Sequence, residues 1–187
     1  MNPPVTEVVA ITGTPGVGKS TVAEELKRRG YTVLSVNKLA EDFNCILGEE
    51  NGCKIVDINK LTIKLKKYLK GLVFLEGHLS HLLDPDLIIV LRCNPIELKN
   101  RLERKEWDKS KIAENVEAEI IDVILVEALD SKKEVYEIDT TKLSPKEVAD
   151  IIIEIVRGNK EIKEKYRPGK IDWIAKLQDK VYDLLNI

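Results

Sequence analysis

The sequence feature that most constrains this chain is the octapeptide at residues 13–20, which reads Gly-Thr-Pro-Gly-Val-Gly-Lys-Ser. It follows a short apolar run at residues 8–12 and precedes residues 21–29, which favour a helix. Glycines in such a segment let consecutive backbone N–H groups turn around an anion, and the N-terminus of the next helix adds positive potential. The segment therefore predicts a strand, a phosphate-binding loop and a helix, in that order.

Two side chains of this loop carry phosphate chemistry. The Lys19 ammonium is expected to reach the β- and γ-phosphates of a nucleotide, and the Ser20 hydroxyl to ligate Mg²⁺. The alternative is a glycine-rich turn with an accidental Lys-Ser pair, which the agreement of motif and placement disfavours. We therefore predict a nucleotide with Mg²⁺ as the ligand of a binding set formed by Gly13, Thr14, Gly16, Val17, Gly18, Lys19, Ser20 and Thr21.

Further apolar runs follow the first one along the chain. Residues 72–75 and 87–91 lack polar alternation, which is typical of strands in a parallel sheet that helices cover on both faces. Residues 31–36 and 135–138 are two more strand candidates, and helix signals separate the runs. The pattern predicts an α/β fold with a five-stranded parallel sheet. It also predicts an irregular segment at residues 44–56 and one long helix that ends near Leu129.

Length and charge exclude several classes of protein. A chain of 187 residues is long enough for one domain with small inserts. Its 30 Lys and Arg residues against 32 Asp and Glu lack the cation excess of a general nucleic-acid binder. No apolar run approaches the roughly 18 residues of a membrane span, and residues 1–4 show no leader pattern. Three cysteines without a C-x-x-C pair disfavour a zinc site, so we expect a reduced, cytoplasmic protein.

An acidic residue and a histidine stand at the end of the third predicted strand. Glu76 follows residues 72–75 directly, and His78 comes two residues later. Open α/β sheets bind ligands at the carboxyl ends of their strands, so Glu76 is a candidate for holding Mg²⁺ or orienting a nucleophile. His78 is a candidate for polarising a water or sensing the γ-phosphate. A capping acid and a packed histidine are the alternatives, and we expect His81 to be structural.

Cations cluster after the fourth predicted strand. Arg92 follows that strand, and the next helix ends with Arg101, Arg104 and Lys105. Enzymes that transfer phosphoryl groups bring cations to the negative charge of the moving group, so Arg101 is a catalytic candidate and Arg104 and Lys105 are nucleotide-binding candidates. Surface solvation is the alternative for these residues, and more so for Lys109 and Lys111.

The last residues differ in character from the rest of the chain. We place the core at residues 1–158 and a C-terminal addition at residues 159–187, which joins a charged linker to an amphipathic helix. The apolar stripe of that helix suits docking on the body of the protein or binding of a partner, and both remain open.

Several stretches taken together resemble one family, the adenylate kinase isoenzyme six family of small adenylate-kinase-like NTPases. The resemblance covers about residues 8–157 and rests on Thr12-Gly13-Thr14-Pro15-Gly16-Val17-Gly18-Lys19-Ser20-Thr21, Cys53-Lys54-Ile55-Val56-Asp57, Glu76-Gly77-His78, and Arg101-Leu102-Glu103 followed by Trp107 and Glu114-Asn115. The acid-x-His strand end is more discriminating than the loop, which other nucleotide kinases share.

This resemblance implies a fold like that of nucleoside monophosphate kinases, with an acceptor-binding insert at residues 37–57 and a short lid at residues 104–114. It implies ATP with Mg²⁺, AMP as acceptor and intrinsic ATP hydrolysis. It also implies a role in small-ribosomal-subunit maturation and rRNA processing, through transient binding of a platform protein, ribosomal protein eleven in the universal naming.

The chain departs from the family pattern at three positions. Glu76 stands where the family often has Asp, and Lys105 stands where it has Arg. The insert contains no Arg, and Glu41 aligns with the family's arginine for the acceptor phosphate. We therefore assign acceptor binding to Asn37, Lys38 and Arg92.

Three functions fit these residues. The first is phosphoryl transfer from ATP to AMP, which needs donor and acceptor in line. The second is an ATPase switch or assembly factor with little kinase activity, in which water is the acceptor. The third is a P-loop kinase of another small metabolite, because a fold does not name its acceptor.

Overall fold

A computed structural model describes residues 7–50 and 52–185, and its centre is a five-stranded parallel sheet. The five strands are β1 (Glu7–Thr12), β2 (Thr32–Ser35), β5 (Leu72–Glu76), β6 (Leu87–Arg92) and β7 (Glu134–Asp139). The strand order is β2-β5-β1-β6-β7, and every neighbouring pair is parallel. The predicted α/β fold with this sheet is confirmed.

Helices cover both faces of this sheet. Alternate residues of a strand face opposite sides, so Val9 and Ile11 join one core cluster while Ala10 joins another. The helices of the described residues are α1 (Lys19–Arg28), α2 (Val36–Asp42), α3 (Ile58–Tyr68), α4 (Pro95–Arg104), α5 (Lys109–Ile120), α6 (Val123–Asp130), α7 (Pro145–Val156), α8 (Lys160–Lys165), α9 (Trp173–Leu177) and α10 (Lys180–Leu185). The first face carries α1, α4, α5 and α7, and the opposite face carries α2, α3 and α6.

Two sequence predictions of local structure are wrong. The segment expected to be irregular contains an antiparallel pair, β3 (Ile46–Glu50) and β4 (Cys53–Val56). Gly52 has φ 75°, the left-handed conformation that tight hairpin turns require. The expected single helix that ends near Leu129 is two helices, α5 and α6, because the chain turns at Asp122 with φ 59°.

The C-terminal helix also breaks. A residue with φ 48°, Gln178, separates α9 from α10. Trp173, Leu177 and Leu184 are buried in the same core cluster as the first face of the sheet. The side of this segment that they form therefore packs on the body of the protein.

Two expectations from the sequence concern membranes. None of the helices in residues 7–50 and 52–185 has the length and apolarity needed to cross a bilayer. Residues 1–4, on which we based the expectation that there is no leader, lie outside the described part of the chain.

Candidate active site

In the loop between β1 and α1, the position of Gly13 can hold only glycine. Gly13, Gly16 and Gly18 have φ of 137°, 97° and 106°. A Cβ atom on Gly13 would lie 2.4 Å from the carbonyl oxygen of Leu91 at the end of β6, a contact that backbone cannot relieve. Helix α1 begins at Lys19 without a side-chain cap, so its first backbone N–H groups are available to an anion.

The Lys19 side chain lies inside this loop. Its Nζ donates to the carbonyl oxygen of Gly13 at 2.7 Å and to that of Thr14 at 3.1 Å, and the residue is buried. The pKa of Lys19 is lowered to about 8, mainly because the ammonium is buried and less because Lys105 is nearby, and the charges of Glu76 and Glu119 act against this shift. A buried ammonium at a helix N-terminus is a strong site for phosphate oxygens, provided that it stays protonated.

This lowered pKa makes nucleotide affinity depend on pH. We expect the Kd for ATP to rise above about pH 8, approaching tenfold per pH unit, because the deprotonated amine of Lys19 cannot pair with phosphate. At pH 9, binding of ATP should therefore be accompanied by the uptake of a proton. Calorimetry in buffers of different ionisation enthalpy measures this uptake. A Lys19→Arg variant should show little pH dependence, because its guanidinium stays charged. A wild-type Kd that is constant between pH 7 and 9.5 would contradict this account.

Ser20 and Glu76 meet at the carboxyl edge of the sheet. The Ser20 hydroxyl donates to Glu76 Oε1 at 3.3 Å, and Glu76 is the last residue of β5, in register with Ile11 of β1. The described residues contain no cluster of three or more His, Cys, Asp or Glu side chains that could hold a metal. A hydroxyl and one carboxylate suit Mg²⁺, which takes few protein ligands and keeps waters and substrate phosphates as the others. The two residues therefore fit the predicted metal.

The two histidines after β5 have different surroundings. His78 is exposed near the loop, and the pKa of its imidazole is lowered by partial desolvation, by the charge of Lys19 and by His81. His81 is buried, with Nδ1 2.9 Å from Thr12 Oγ1 and Nε2 3.0 Å from Glu127 Oε2. His81 is thus tied to β1 and α6 as expected of a packed histidine, whereas His78 is neutral near pH 7 and free to meet a ligand.

Three of the predicted cations line a pocket beside the loop. Arg101, Arg104 and Lys105 border a cavity of about 350 Å³. Arg101 is held in place, because its guanidinium donates to Glu97 at 3.1 Å and to the carbonyl oxygens of Thr140 and Thr141 at 3.2 and 3.3 Å. Arg104 and Lys105 are exposed at the mouth. The rest of the lining comes from the loop, α1 and the segment after β7, namely Gly16, Val17, Gly18, Thr21, Val22, Thr140, Leu143, Pro145 and Val148.

The predicted acceptor residues do not all lie together. Asn37 and Lys38 are exposed on α2. Glu41, one turn further along α2, forms an ion pair with Lys54 of β4. The hairpin also approaches α5, since a Cβ atom on Gly52 would lie 3.1 Å from Lys111 Nζ. The insert therefore offers lysine side chains to an acceptor, and the carboxylate of Glu41 is already paired with Lys54.

Arg92 does not fit its assignment to the acceptor phosphate. The residue is 1% exposed, and its guanidinium forms ion pairs with Glu119 at 2.8 Å, with Glu137 at 3.2 Å and with Asp122. Burial opposes the charge, but Glu119 and Asp122 outweigh it and raise the pKa of Arg92. A guanidinium that three carboxylates surround has no open edge for a ligand, so Arg92 supports the loop indirectly, through Glu119.

Sequence reasoning missed the most connected carboxylate of the site, Glu119. Its Oε2 accepts from the Thr14 hydroxyl at 2.6 Å, and its Oε1 accepts from Arg92 Nε at 2.8 Å and from the backbone N–H of Cys93 at 3.1 Å. The available signal was its position on α5, because Glu119 falls on the apolar stripe of Ile112 and Val116. A carboxylate on the buried face of a helix needs partners, which points to a network.

Comparisons with known proteins show which family the chain belongs to. Residues 9–122 match a family model described as an AAA domain. A protein of Archaeoglobus fulgidus named "Putative adenylate kinase" is 49% identical over 179 residues, which cover 96% of this chain and 98% of that protein. A protein of Pyrococcus furiosus with the same name is 42% identical over 183 residues, with 96% and 98% covered.

Solved structures share the fold at low sequence identity. Shikimate kinase from Acinetobacter baumannii, in complex with shikimate, superposes with a TM-score of 0.58 at 16% identity over 83% of this chain and 96% of that one. A sugar kinase from Janibacter gives a TM-score of 0.54 at 14% identity over 84% of this chain and 98% of that one. The fold is thus that of a P-loop kinase, and the chain belongs to the AAA-domain family, among the archaeal relatives that carry the name "Putative adenylate kinase".

Proposed function

We propose that this protein transfers the γ-phosphoryl group of ATP to AMP and so forms two molecules of ADP. In this reaction the bond from the γ-phosphorus to the β,γ-bridging oxygen breaks, and a bond to an AMP phosphate oxygen forms. The observation that carries the proposal is the convergence of Lys19 Nζ, the uncapped N-terminus of α1 and the Ser20–Glu76 pair at one loop. Together they provide positive potential and metal ligands where a polyphosphate would lie.

The pocket beside the loop supports a nucleoside as the body of the donor. Its walls combine the apolar side chains of Leu143, Pro145 and Val148 with the guanidinium of Arg101. Flat aromatic bases favour such surroundings, since a base can pack on apolar groups and stack on a guanidinium. The pocket adjoins Gly18 and Thr21, so a nucleoside there would direct its phosphates into the loop.

Mg²⁺ bound by Ser20 and Glu76 would neutralise phosphate charge near Lys19. Glu76 is one methylene longer than the Asp common in the family, but it presents the same carboxylate and touches Ser20. The lid residues Arg104 and Lys105 are exposed, so a movement of this segment could bring their charges to the transferring group.

A second function, ATP hydrolysis, is favoured by a specific observation on the acceptor side. Arg92 is buried among carboxylates and Glu41 is paired with Lys54, so among the predicted acceptor residues only the lysine Lys38 remains as an open cation. A lysine grips a phosphate less specifically than a bidentate arginine does, which would leave room for water as acceptor. We propose that His78 orients that water, because its side chain is exposed and lies near enough to Lys19 for that charge to lower the pKa of the imidazole.

The proposed partner follows from the family resemblance alone. We propose that the protein binds a small-subunit ribosomal protein transiently in the cytoplasm, in a manner that its nucleotide state controls. Pull-down of this chain with the purified ribosomal protein should differ between ATP and ADP. If the same amount of ribosomal protein is captured in every nucleotide state, control of binding by the nucleotide is contradicted.

A panel of acceptors tests the proposed reaction. We expect AMP to raise ADP formation from ATP at least tenfold above the rate without acceptor, with other nucleoside monophosphates and small sugars less effective. The measurement counts ADP and inorganic phosphate separately at fixed Mg²⁺. If no nucleoside monophosphate changes the turnover of ATP, the proposed kinase activity is overturned and hydrolysis is favoured. If another metabolite raises the turnover, the protein is a kinase of that metabolite instead.

His78 separates the two activities. We expect His78→Ala to lower acceptor-free ATP hydrolysis by roughly 10²-fold and phosphoryl transfer to AMP much less, because only hydrolysis needs a side chain to orient water. His81→Ala is an unsuitable control because its ring is buried, so His78→Gln, which keeps a hydrogen-bonding group, serves instead. A larger loss in AMP phosphorylation than in hydrolysis would assign His78 to the acceptor.

A further inference from the structure

We infer that Trp173, in the C-terminal segment, is a positioning residue for the phosphate-binding loop and acts on it through Glu119. The inference rests on the proposed function in one respect, because it takes ATP as the ligand of that loop. It concerns a residue some 150 positions from the loop in sequence, and it gives the C-terminal segment a role in nucleotide binding.

The path from Trp173 to the loop consists of two buried hydrogen bonds. Trp173 is 2% exposed, and its indole Nε1–H donates to Glu119 Oε1 at 3.0 Å. The other carboxylate oxygen, Oε2, accepts from the Thr14 hydroxyl at 2.6 Å. Thr14 and Glu119 are each 2% exposed, so water does not compete for these bonds. One carboxylate thus joins the C-terminal segment to the loop.

The loop end of this path reaches the phosphate-binding lysine. The backbone oxygen of Thr14, whose hydroxyl Glu119 holds, accepts from Lys19 Nζ at 3.1 Å. Glu119 also raises the pKa of Lys19 through its charge, against the effect of burial. A change in the position of Glu119 therefore alters both the geometry of the loop and the charge of its lysine.

A second buried carboxylate fixes the C-terminal segment in the same place. Glu137 Oε1 accepts from the backbone N–H groups of Lys170 at 2.9 Å and Ile171 at 3.2 Å, just before α9. Its Oε2 accepts from Arg92 Nη1 at 3.2 Å, and Arg92 in turn binds Glu119. The segment is thus anchored by Glu137 at residues 170–171 and by Glu119 at Trp173, so the indole is held at a fixed position.

A purely structural role for Trp173 predicts something different. Leu177 is buried in the same segment and the same core cluster, but its side chain is apolar and cannot take part in the hydrogen-bonded path. If the segment only adds packing, then Trp173 and Leu177 should affect stability and leave ATP affinity of the folded protein equally unchanged. If Trp173 positions the loop, only its loss should weaken ATP binding.

The first test is a double-mutant cycle on ATP affinity, measured by calorimetry with Mg²⁺ at a temperature where every variant is folded. We expect Trp173→Phe to raise the Kd for ATP roughly three- to tenfold, and Leu177→Ala to change it less than about twofold at a similar loss of Tm.

Thr14→Val should raise the Kd for ATP as well, while Thr14→Ser keeps the hydroxyl and restores affinity. The double variant Trp173→Phe/Thr14→Val should be no weaker than Thr14→Val alone, because both changes cut one path. Additive losses, or equal effects of Trp173→Phe and Leu177→Ala, would overturn the inference.

The second test needs no ligand and no change at Trp173. With Trp107→Phe as the reference protein, Trp173 is the remaining tryptophan, and its indole N–H gives one NMR resonance. We expect Thr14→Val to shift that resonance and Thr14→Ser to leave it in place. A resonance that Thr14→Val does not move would overturn the coupling. A wild-type protein that binds no ATP would refute the proposed function, and this ligand-free shift would still decide whether Trp173 is coupled to the loop.

Discussion

Replacing Lys19 by alanine is expected to lower kcat/KM for ATP-dependent phosphoryl transfer by roughly 10²- to 10³-fold. The Lys19 ammonium is held inside the loop by the carbonyl oxygens of Gly13 and Thr14, and it is the buried cation nearest to where a polyphosphate would lie. Alanine removes that charge and leaves the glycine backbone able to form the loop. The loss should appear in AMP phosphorylation and in acceptor-free hydrolysis alike, because both reactions move the same group.

Lys27, on the same helix, provides a matched control. Its side chain is 46% exposed and pairs with Glu24 on the surface, so Lys27→Ala removes an equal charge from an exposed ion pair. Steady-state kinetics of both variants, with their Tm values measured alongside, separate a lost function from a lost fold. Similar activities of Lys19→Ala and Lys27→Ala would contradict the assignment of Lys19 to the phosphate-binding site.

The largest effect on stability is expected at Arg92. We predict that Arg92→Met lowers the free energy of unfolding by roughly 3–5 kcal/mol, because it leaves the buried carboxylates of Glu119 and Glu137 without their cation. Methionine has an apolar side chain of comparable length, so the loss would come from charge and hydrogen bonding more than from a cavity. Urea unfolding followed by circular dichroism measures the change.

Arg28 is the control for this prediction, since its side chain is 72% exposed and pairs with Glu25 on the surface. Arg28→Met should cost no more than about 1 kcal/mol. The earlier assignment of Arg92 to the acceptor phosphate makes the opposite prediction, namely normal stability and a raised KM for AMP. That outcome would restore Arg92 to the acceptor site and remove it from the support of the loop.

The parts of the fold that the sequence predicts well are those with a local cause. The strand–loop–helix unit around Lys19 follows from glycine geometry and from the apolar run of β1, and the continuous apolar runs of β5 and β6 reflect burial on both faces. The break at Asp122 has no such local signal. A residue other than glycine adopts φ 59° there, where Arg92 of a distant strand pairs with its carboxylate.

The candidate site shows the same division. Ser20 and Glu76 are each visible from a motif, and the parallel pairing of β1 with β5 brings them together. Arg92 was misassigned because a cation after a strand looks alike whether it meets a ligand or a buried carboxylate. Its partners Glu119 and Glu137 lie 27 and 45 residues away, and only the packing of α5 and β7 against β6 shows that they surround it.

The fate of the γ-phosphoryl group tests the central claim most directly. ATP labelled at the γ-phosphate is incubated with the wild-type protein, Mg²⁺ and AMP, and the label is followed during the first turnovers, with Lys19→Ala as the blank. The account predicts that most of the label appears in ADP formed from AMP and little in inorganic phosphate. Label that appears only in inorganic phosphate, at a rate that AMP does not change, would contradict it.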